Sequence, residues 1–264
     1  MRRSILVATM LASALVCFTA DTLAAPPWVD RSLTLPSADW AFDLGGGIAH
    51  VPDTTSFGVN LEMGVGITEH VELGVRTGLR AADEPGRAIQ PDDYGRLFDR
   101  QYFDGGDSAV ANPEVRVRWG FLHGSVAEMG LEGRFIAPLE NGTYAGLAPG
   151  LPIALHLGDR VRLDTGVWMP VVFLPNHAAV GLSVPLDVWI QVTSRLWLGP
   201  MTGIAVPDVS PPPPANSVSN VSFGLGLGYQ ITHYLDFKTM LLFPAINNDS
   251  RIFGVGAGVQ IRIE

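Results

Sequence analysis

Charged side chains recur at two-residue spacing along this sequence. Glu114, Arg116 and Arg118 form one such run, and Glu128, Glu132 and Arg134 continue it. Glu72 with Arg76, Arg162 with Asp164, Asp236 with Lys238, and Gln260 with Arg262 repeat the pattern, while Glu62, His156 and Asp187 hold the matching position in segments of their own. Apolar residues fill the alternate positions, as Val115, Val117 and Trp119 do beside the first run. Successive side chains of an extended chain point to opposite faces, so both signs of charge gather on one face with an apolar face behind. Charges held in a confined space must pair or meet water. Two outcomes follow. One is an ion-paired network that fills and stiffens an interior; the other is a hydrated passage lined by both signs. The pattern leaves both open.

Other chemistry finds less support. A Ser–His–acid site needs three groups within hydrogen-bond reach. His70, His123 and His233 fall in short turns, and His50 and His177 fall near the opposite ends, with Asp53, Thr54 and Ser56 beside His50. His156 alone lies in mid-strand, where it reads as a hydrogen-bonding member of the charged face. The chain is therefore expected not to be an enzyme. Residues 81–111 carry Asp83, Glu84, Asp92, Asp93, Asp99, Asp104 and Asp107, oxygen ligands that would suit calcium, but their spacing matches no fixed calcium loop and they read as a solvated lid. The alternating glycines at 224–228 and 254–258 lack the strand-then-helix setting of a nucleotide loop. No cofactor and no metal are expected.

The elements that position these residues are strands. Arg2 and Arg3, an apolar run over residues 5–16 and a Thr22-Leu23-Ala24 cleavage box read as a signal peptide over residues 1–24. Cys17, the single cysteine, would leave with it, so neither disulfide nor thiolate chemistry is expected. Residues 25–37 show no period and are read as a periplasmic lead; residues 38–264 are read as one barrel. The chain is 47% hydrophobic but only 16% charged, against about 25% in ordinary soluble domains. Its net charge of −9 argues against nucleic acid as a partner.

The clearest hairpin spans residues 146–173. Leu147, Leu151, Ile153 and Leu155 alternate with Gly150, Pro152, Ala154 and His156; Gly158-Asp159-Arg160 breaks the run; Val161, Leu163, Val167 and Met169 then alternate with Arg162, Asp164, Gly166 and Trp168. Such strands match the roughly 9–11 tilted residues that cross a bilayer. The unit repeats to give twelve strands, an even number, with tight connectors at one end (68–70, 123–125, 158–160, 193–194, 232–233) and longer ones at the other. Short periplasmic turns and long outer loops are the rule for outer-membrane barrels. Phe57, Phe173, Phe243 and Phe253 mark the outer ends; Trp40, Trp119, Phe121 and Tyr229 mark the inner ends, as two interfacial girdles. The fold expected is an all-β, antiparallel, up-and-down transmembrane β-barrel in outer-membrane lipid.

Asn112-Pro113-Glu114 at a strand start, with the hairpins at 68–74 (TEHVELG) and 157–164 (LGDRVRLD), resembles the outer-membrane transporter-like barrels named for the meta-pathway of phenol degradation. The resemblance spans nearly all of the chain after residue 24. It implies an outer-membrane location and passage of small, often hydrophobic or aromatic solutes. The alternative is a structural or surface-binding barrel whose lumen is plugged by side chains.

Overall fold

The computed structural model describes residues 26–52, 54–81, 110, 112–138, 144–206, 208–209 and 217–264. The expected signal peptide and nearly all of the acidic 81–111 loop lie outside the described residues. Among the described residues fourteen strands form: β1 (Trp40–Val51), β2 (Thr54–Thr68), β3 (Val71–Ala81), β4 (Glu114–His123), β5 (Ala127–Ile136), β6 (Gly146–His156), β7 (Val161–Trp168), β8 (Val171–Phe173), β9 (Ala178–Val180), β10 (Leu182–Gln191), β11 (Leu196–Val206), β12 (Asn220–Thr232), β13 (Leu235–Phe243) and β14 (Phe253–Ile263).

These are twelve staves. Met169 and Pro170 separate β7 from β8, and Gly181 separates β9 from β10. The two interruptions face each other, since the Gly181 N–H donates to the Pro170 carbonyl at 2.7 Å. Pro170 has no N–H for the ladder, so a break is the local cost of placing it there. Each stave is antiparallel to its neighbours, and β14 returns to β1 from Trp40↔Ile263 to His50↔Phe253, closing the barrel.

The tight connectors carry their own chemistry. The Thr68 hydroxyl accepts from the His70 and Val71 N–H groups at 3.1 and 3.0 Å, and the Thr193 hydroxyl does the same for Arg195 and Leu196 at 3.3 and 3.0 Å. A threonine hydroxyl closing its own turn explains why these hairpins need so few residues. Register shifts at Gly66/Thr68, Gly120/Leu122 and Gln230/Thr232 all lie at this end of the barrel. β1 and β2 run closer together at the opposite end than the alternation predicts. Only residues 52–53 connect them, because Ala49 and His50 continue the ladder against Ser56 and Thr55.

The two faces divide as the alternation predicts. Leu44, Ile48, Leu61 and Leu225 point outward, each at least 50% exposed. So much contiguous apolar surface is untenable in water and suits a lipid-facing wall. Trp119, Phe121 and Tyr229 form the girdle at the tight-turn end, and Phe57 and Phe173 lie at the other. The inward parity is polar or small. On β10, Ser183, Asp187, Trp189 and Gln191 are buried, while Leu182, Val184, Leu186 and Ile190 are exposed.

The lead differs most from expectation. Residues 28–35 do not stay outside the barrel but lie within its lumen. Val29 is 1% exposed and packs with Trp189, Trp197, Met201, Met240 and Leu242, and Thr34 is buried. A short 3-10 turn, Trp28–Asp30, starts the segment.

Candidate functional site

The inward charges meet in two groups, one on each side of the inserted lead. On β2 to β5, Arg116 Nη2 lies 2.7 Å from Glu72 Oε1 and 3.0 Å from Glu62 Oε1. The Arg116 side chain crosses β3 to reach them. A Cβ on Gly74 would stand 3.0 Å from the guanidinium, so the missing side chain opens its path. Arg118 donates to a single oxygen of Glu132, Oε2, through both Nε and Nη2, at 2.9 and 2.6 Å. Glu132 Oε1 accepts from Trp168 Nε1 at 3.0 Å and lies 3.2 Å from Arg134 Nε; Glu114 lies 4.0 Å from Arg134. Arg76 is buried on the same wall, in register with Glu62 and Glu114.

On the far side, Lys238 Nζ and Gln260 Nε2 both donate to Asp43, at 3.1 and 2.8 Å. Arg262 donates to Gln260 Oε1 through Nε and Nη2. Arg162 Nε donates to Asp164 Oδ1 at 2.7 Å. Asp187 is 5% exposed, directly across the ladder from Asp164.

The lead ties these groups together by its backbone. The Leu33 N–H donates to Glu128 at 2.8 Å, the Leu35 N–H donates to Glu72 at 3.0 Å, and the Leu33 carbonyl accepts from Arg118 at 2.7 Å. The Arg31 carbonyl accepts from Arg162, and the Arg31 guanidinium forks onto Asp236. His156 Nδ1 donates to the Val29 carbonyl at 2.7 Å, and its Nε2 lies 3.0 Å from Glu128 Oε1. Both ring nitrogens thus face oxygens, one on the lead and one on the wall. Where an extended segment meets no strand ladder, these wall side chains satisfy its backbone groups.

An aromatic cluster anchors the lead's first residues. The Trp28 ring stacks on Trp197 at 5.1 Å and meets Trp189 edge-on at 6.2 Å; the Arg31 guanidinium and the Lys238 ammonium lie 5.3 and 5.1 Å from its centroid. These rings fit in a crowded lumen because glycines face them. A Cβ on Gly228 would come within 2.1 Å of Trp197, and one on Gly226 within 2.6 Å of Trp189. Gly150 and Gly166 make the same room for Trp168.

Of the sixteen residues expected from the sequence to line the lumen, Glu72, Arg76, Arg116, Glu128, Glu132, Arg134, Arg162, Asp187 and Asp236 are buried. The reading missed Trp189 and Trp197, inward residues that carry no charge, and the lead's own contribution. The signal for the tryptophans was present in the glycines opposite them. Beside the lead, a cavity of about 320 Å³ remains, walled by Trp28, Glu62, Arg116, Trp168, Asp187 and Lys238 among others. Outside the barrel proper, Arg251 bonds Asp249 in the turn before β14 and holds its carboxyl down to about 2.

No family model matches this sequence, and no curated protein matches it. Solved structures do resemble it in fold. The KdgM porin superposes with a TM-score of 0.59 at 9% identity, covering 85% of this chain and 99% of that one. The NanC porin gives 0.59 at 8% identity, covering 84% and 100%. An outer-membrane channel from Pseudomonas putida F1 gives 0.58 at 10% identity, covering 90% and 99%. At these identities the likeness speaks for architecture alone: this chain has the closed, antiparallel, twelve-stave barrel of outer-membrane porins.

Proposed function

We propose that this protein is an outer-membrane channel for small solutes, hydrophobic and aromatic ones among them. The observation that carries the reading is a lipid-facing apolar wall around a lumen that keeps an open cavity lined by both charges and tryptophan rings. An apolar exterior requires lipid, and the expected signal peptide would deliver the chain there. The hairpin and Asn-Pro-Glu motifs support membership in the barrels named for the meta-pathway of phenol degradation. His156 turns both ring nitrogens to Val29 and Glu128, so neither faces a serine or threonine hydroxyl. That favours a channel over a hydrolase.

A second reading has its own observation. The lead is bonded to the wall through Leu33, Leu35, Arg31 and the Val29 carbonyl, which favours a barrel kept closed until the lead moves. Planar-bilayer recording of the purified barrel tests the two. Stable unitary current supports the open channel. Silence that persists across voltage supports the closed barrel and removes the channel reading.

A further inference from the structure

The charges around the cavity are nearly all matched. Arg116 faces Glu72 and Glu62, Arg118 faces Glu132, Arg162 faces Asp164, Arg31 faces Asp236, and Lys238 faces Asp43. Arg262 is met by the neutral amide of Gln260. Asp187 stands apart. It lines the cavity, is 5% exposed, and has no hydrogen-bond or ion-pair partner among the described residues. Its carboxylate faces the cavity and not a protein partner, so its hydrogen-bonding capacity is left for what the cavity holds. Asp164 is its direct cross-strand partner, which places the two side-chain roots about 5 Å apart. Among the described residues, only one Asp164 oxygen is engaged, by Arg162 Nε.

The same two strands supply aromatic surface. Trp189 is two residues along β10 from Asp187, and Trp168 is four along β7 from Asp164, so all four share the inward parity. Both rings line the cavity, with Trp28 beside them. A carboxylate pair with one free member, set among tryptophans, suits an ammonium group: the carboxylates take its charge and hydrogen bonds, and the ring faces attract the cation and its apolar body. Two carboxylates fall short of the six to eight oxygens that calcium takes. The cavity of about 320 Å³ lies at the lower end of the range for small-ligand pockets.

We propose that Asp187, with Asp164 and the tryptophans beside them, forms a binding site for small organic cations bearing an ammonium headgroup and an apolar or aromatic body. The site rests on the channel reading in one respect, that solutes reach the lumen. Its ligand class goes beyond that reading, because an overall balance of lumen charges gives no reason to prefer cations.

Equilibrium calorimetry on the purified barrel in detergent decides it without recording current. The probes are 2-phenylethylammonium and 3-phenylpropanoate, close in size and opposite in charge. The cation is expected to bind saturably and at least about tenfold more tightly than the anion, the worth of one charge-assisted hydrogen bond. Asp187→Asn should weaken the cation by a similar factor and leave the anion unchanged. Equal affinity for the two probes on the unmodified protein overturns the proposal, and that comparison needs no variant to fold. Equal cation affinity in a folded Asp187→Asn barrel overturns the assignment to Asp187. A barrel that conducts but does not prefer the cation loses this site and keeps its channel. One that binds the cation but is silent keeps the site and loses the channel.

Discussion

Arg31 and Asp236 form a buried ion pair across 205 positions of sequence, with side chains 6% and 2% exposed. The arginine belongs to the inserted lead and the aspartate to β13, so the contact joins the lead to the wall. Its neighbours reinforce it: the Arg31 guanidinium lies over Trp28 and Trp197, and its carbonyl accepts from Arg162.

Removing one partner should cost more than the pair contributes. Arg31→Ala leaves Asp236 buried and uncompensated, a loss of about 3–5 kcal/mol. Part of that loss is avoided if the lead leaves the lumen. Urea unfolding of the barrel in lipid vesicles should therefore show a smaller penalty for Arg31→Ala with Asp236→Ala than the two single changes predict by addition. Strict additivity would show that the lead is not held by this pair.

Gly228 and Gly133 make a matched comparison. A Cβ at Gly228 meets Trp197 at 2.1 Å, whereas one at Gly133 meets nothing within 4 Å. Gly228→Ala should push Trp197 off Trp28 and cost about 1–3 kcal/mol of overpacking. Gly133→Ala should be close to neutral. Tryptophan fluorescence during unfolding reads both the stability and the changed ring environment. Equal behaviour of the two variants would mean that Trp197 does not occupy the space over Gly228.

The lipid face gives a depth test. Val167 points outward well inside its stave, and Leu157 points outward in the tight turn after β6. An arginine at the bilayer midplane costs about 2–4 kcal/mol and close to nothing at the interface. Val167→Arg should fold into bilayers far less well than Leu157→Arg. Equal losses would place both positions at one depth.

The barrel was legible because its code is local. Each stave alternates every second residue, so the parity of Asp187 or Arg162 can be read from its immediate neighbours. The lead was not legible for the opposite reason. Residues 28–35 have no period of their own, and their partners, such as Glu72, Glu128 and Asp236, lie far along the chain. Trp189 and Trp197 escaped because charge marked the inward face, and these two are apolar. They turn inward to meet Trp28 and Val29, an apolar surface that exists only once the lead is inserted. Pro170 hid a break within one stave that alternation alone carried straight through.

Orientation has a direct check. The lead enters beside the tight turns, since Ala38 N–H donates to the Gly66 carbonyl and the Thr34 hydroxyl reaches Glu69. The tight turns should face the periplasm. A cysteine replacing Ser250, exposed in the turn before β14, should label on intact cells. One replacing Asp159 should label only after the outer membrane is opened. The reverse pattern would invert the barrel.

Arg116 links the charge balance of the lumen to both readings of its function. Its Nη2 is shared by Glu72 and Glu62, while Arg134 stands directly across the ladder. Arg116→Glu takes from two acids the cation they share and brings a third acid beside them, a change of two charges. The new carboxylate gains Arg134 opposite, so part of the loss is offset. Glu72 also holds the Leu35 N–H, which couples this site to the lead. If the barrel conducts, reversal potentials across a potassium chloride gradient should move toward cation preference, because field lines in a narrow low-dielectric lumen are poorly screened. If the lead keeps it closed, the same change should lower the unfolding temperature and free the lead, with no current in either form. An unchanged reversal potential together with an unchanged unfolding temperature would mean that Arg116 does not govern the charge of a confined lumen.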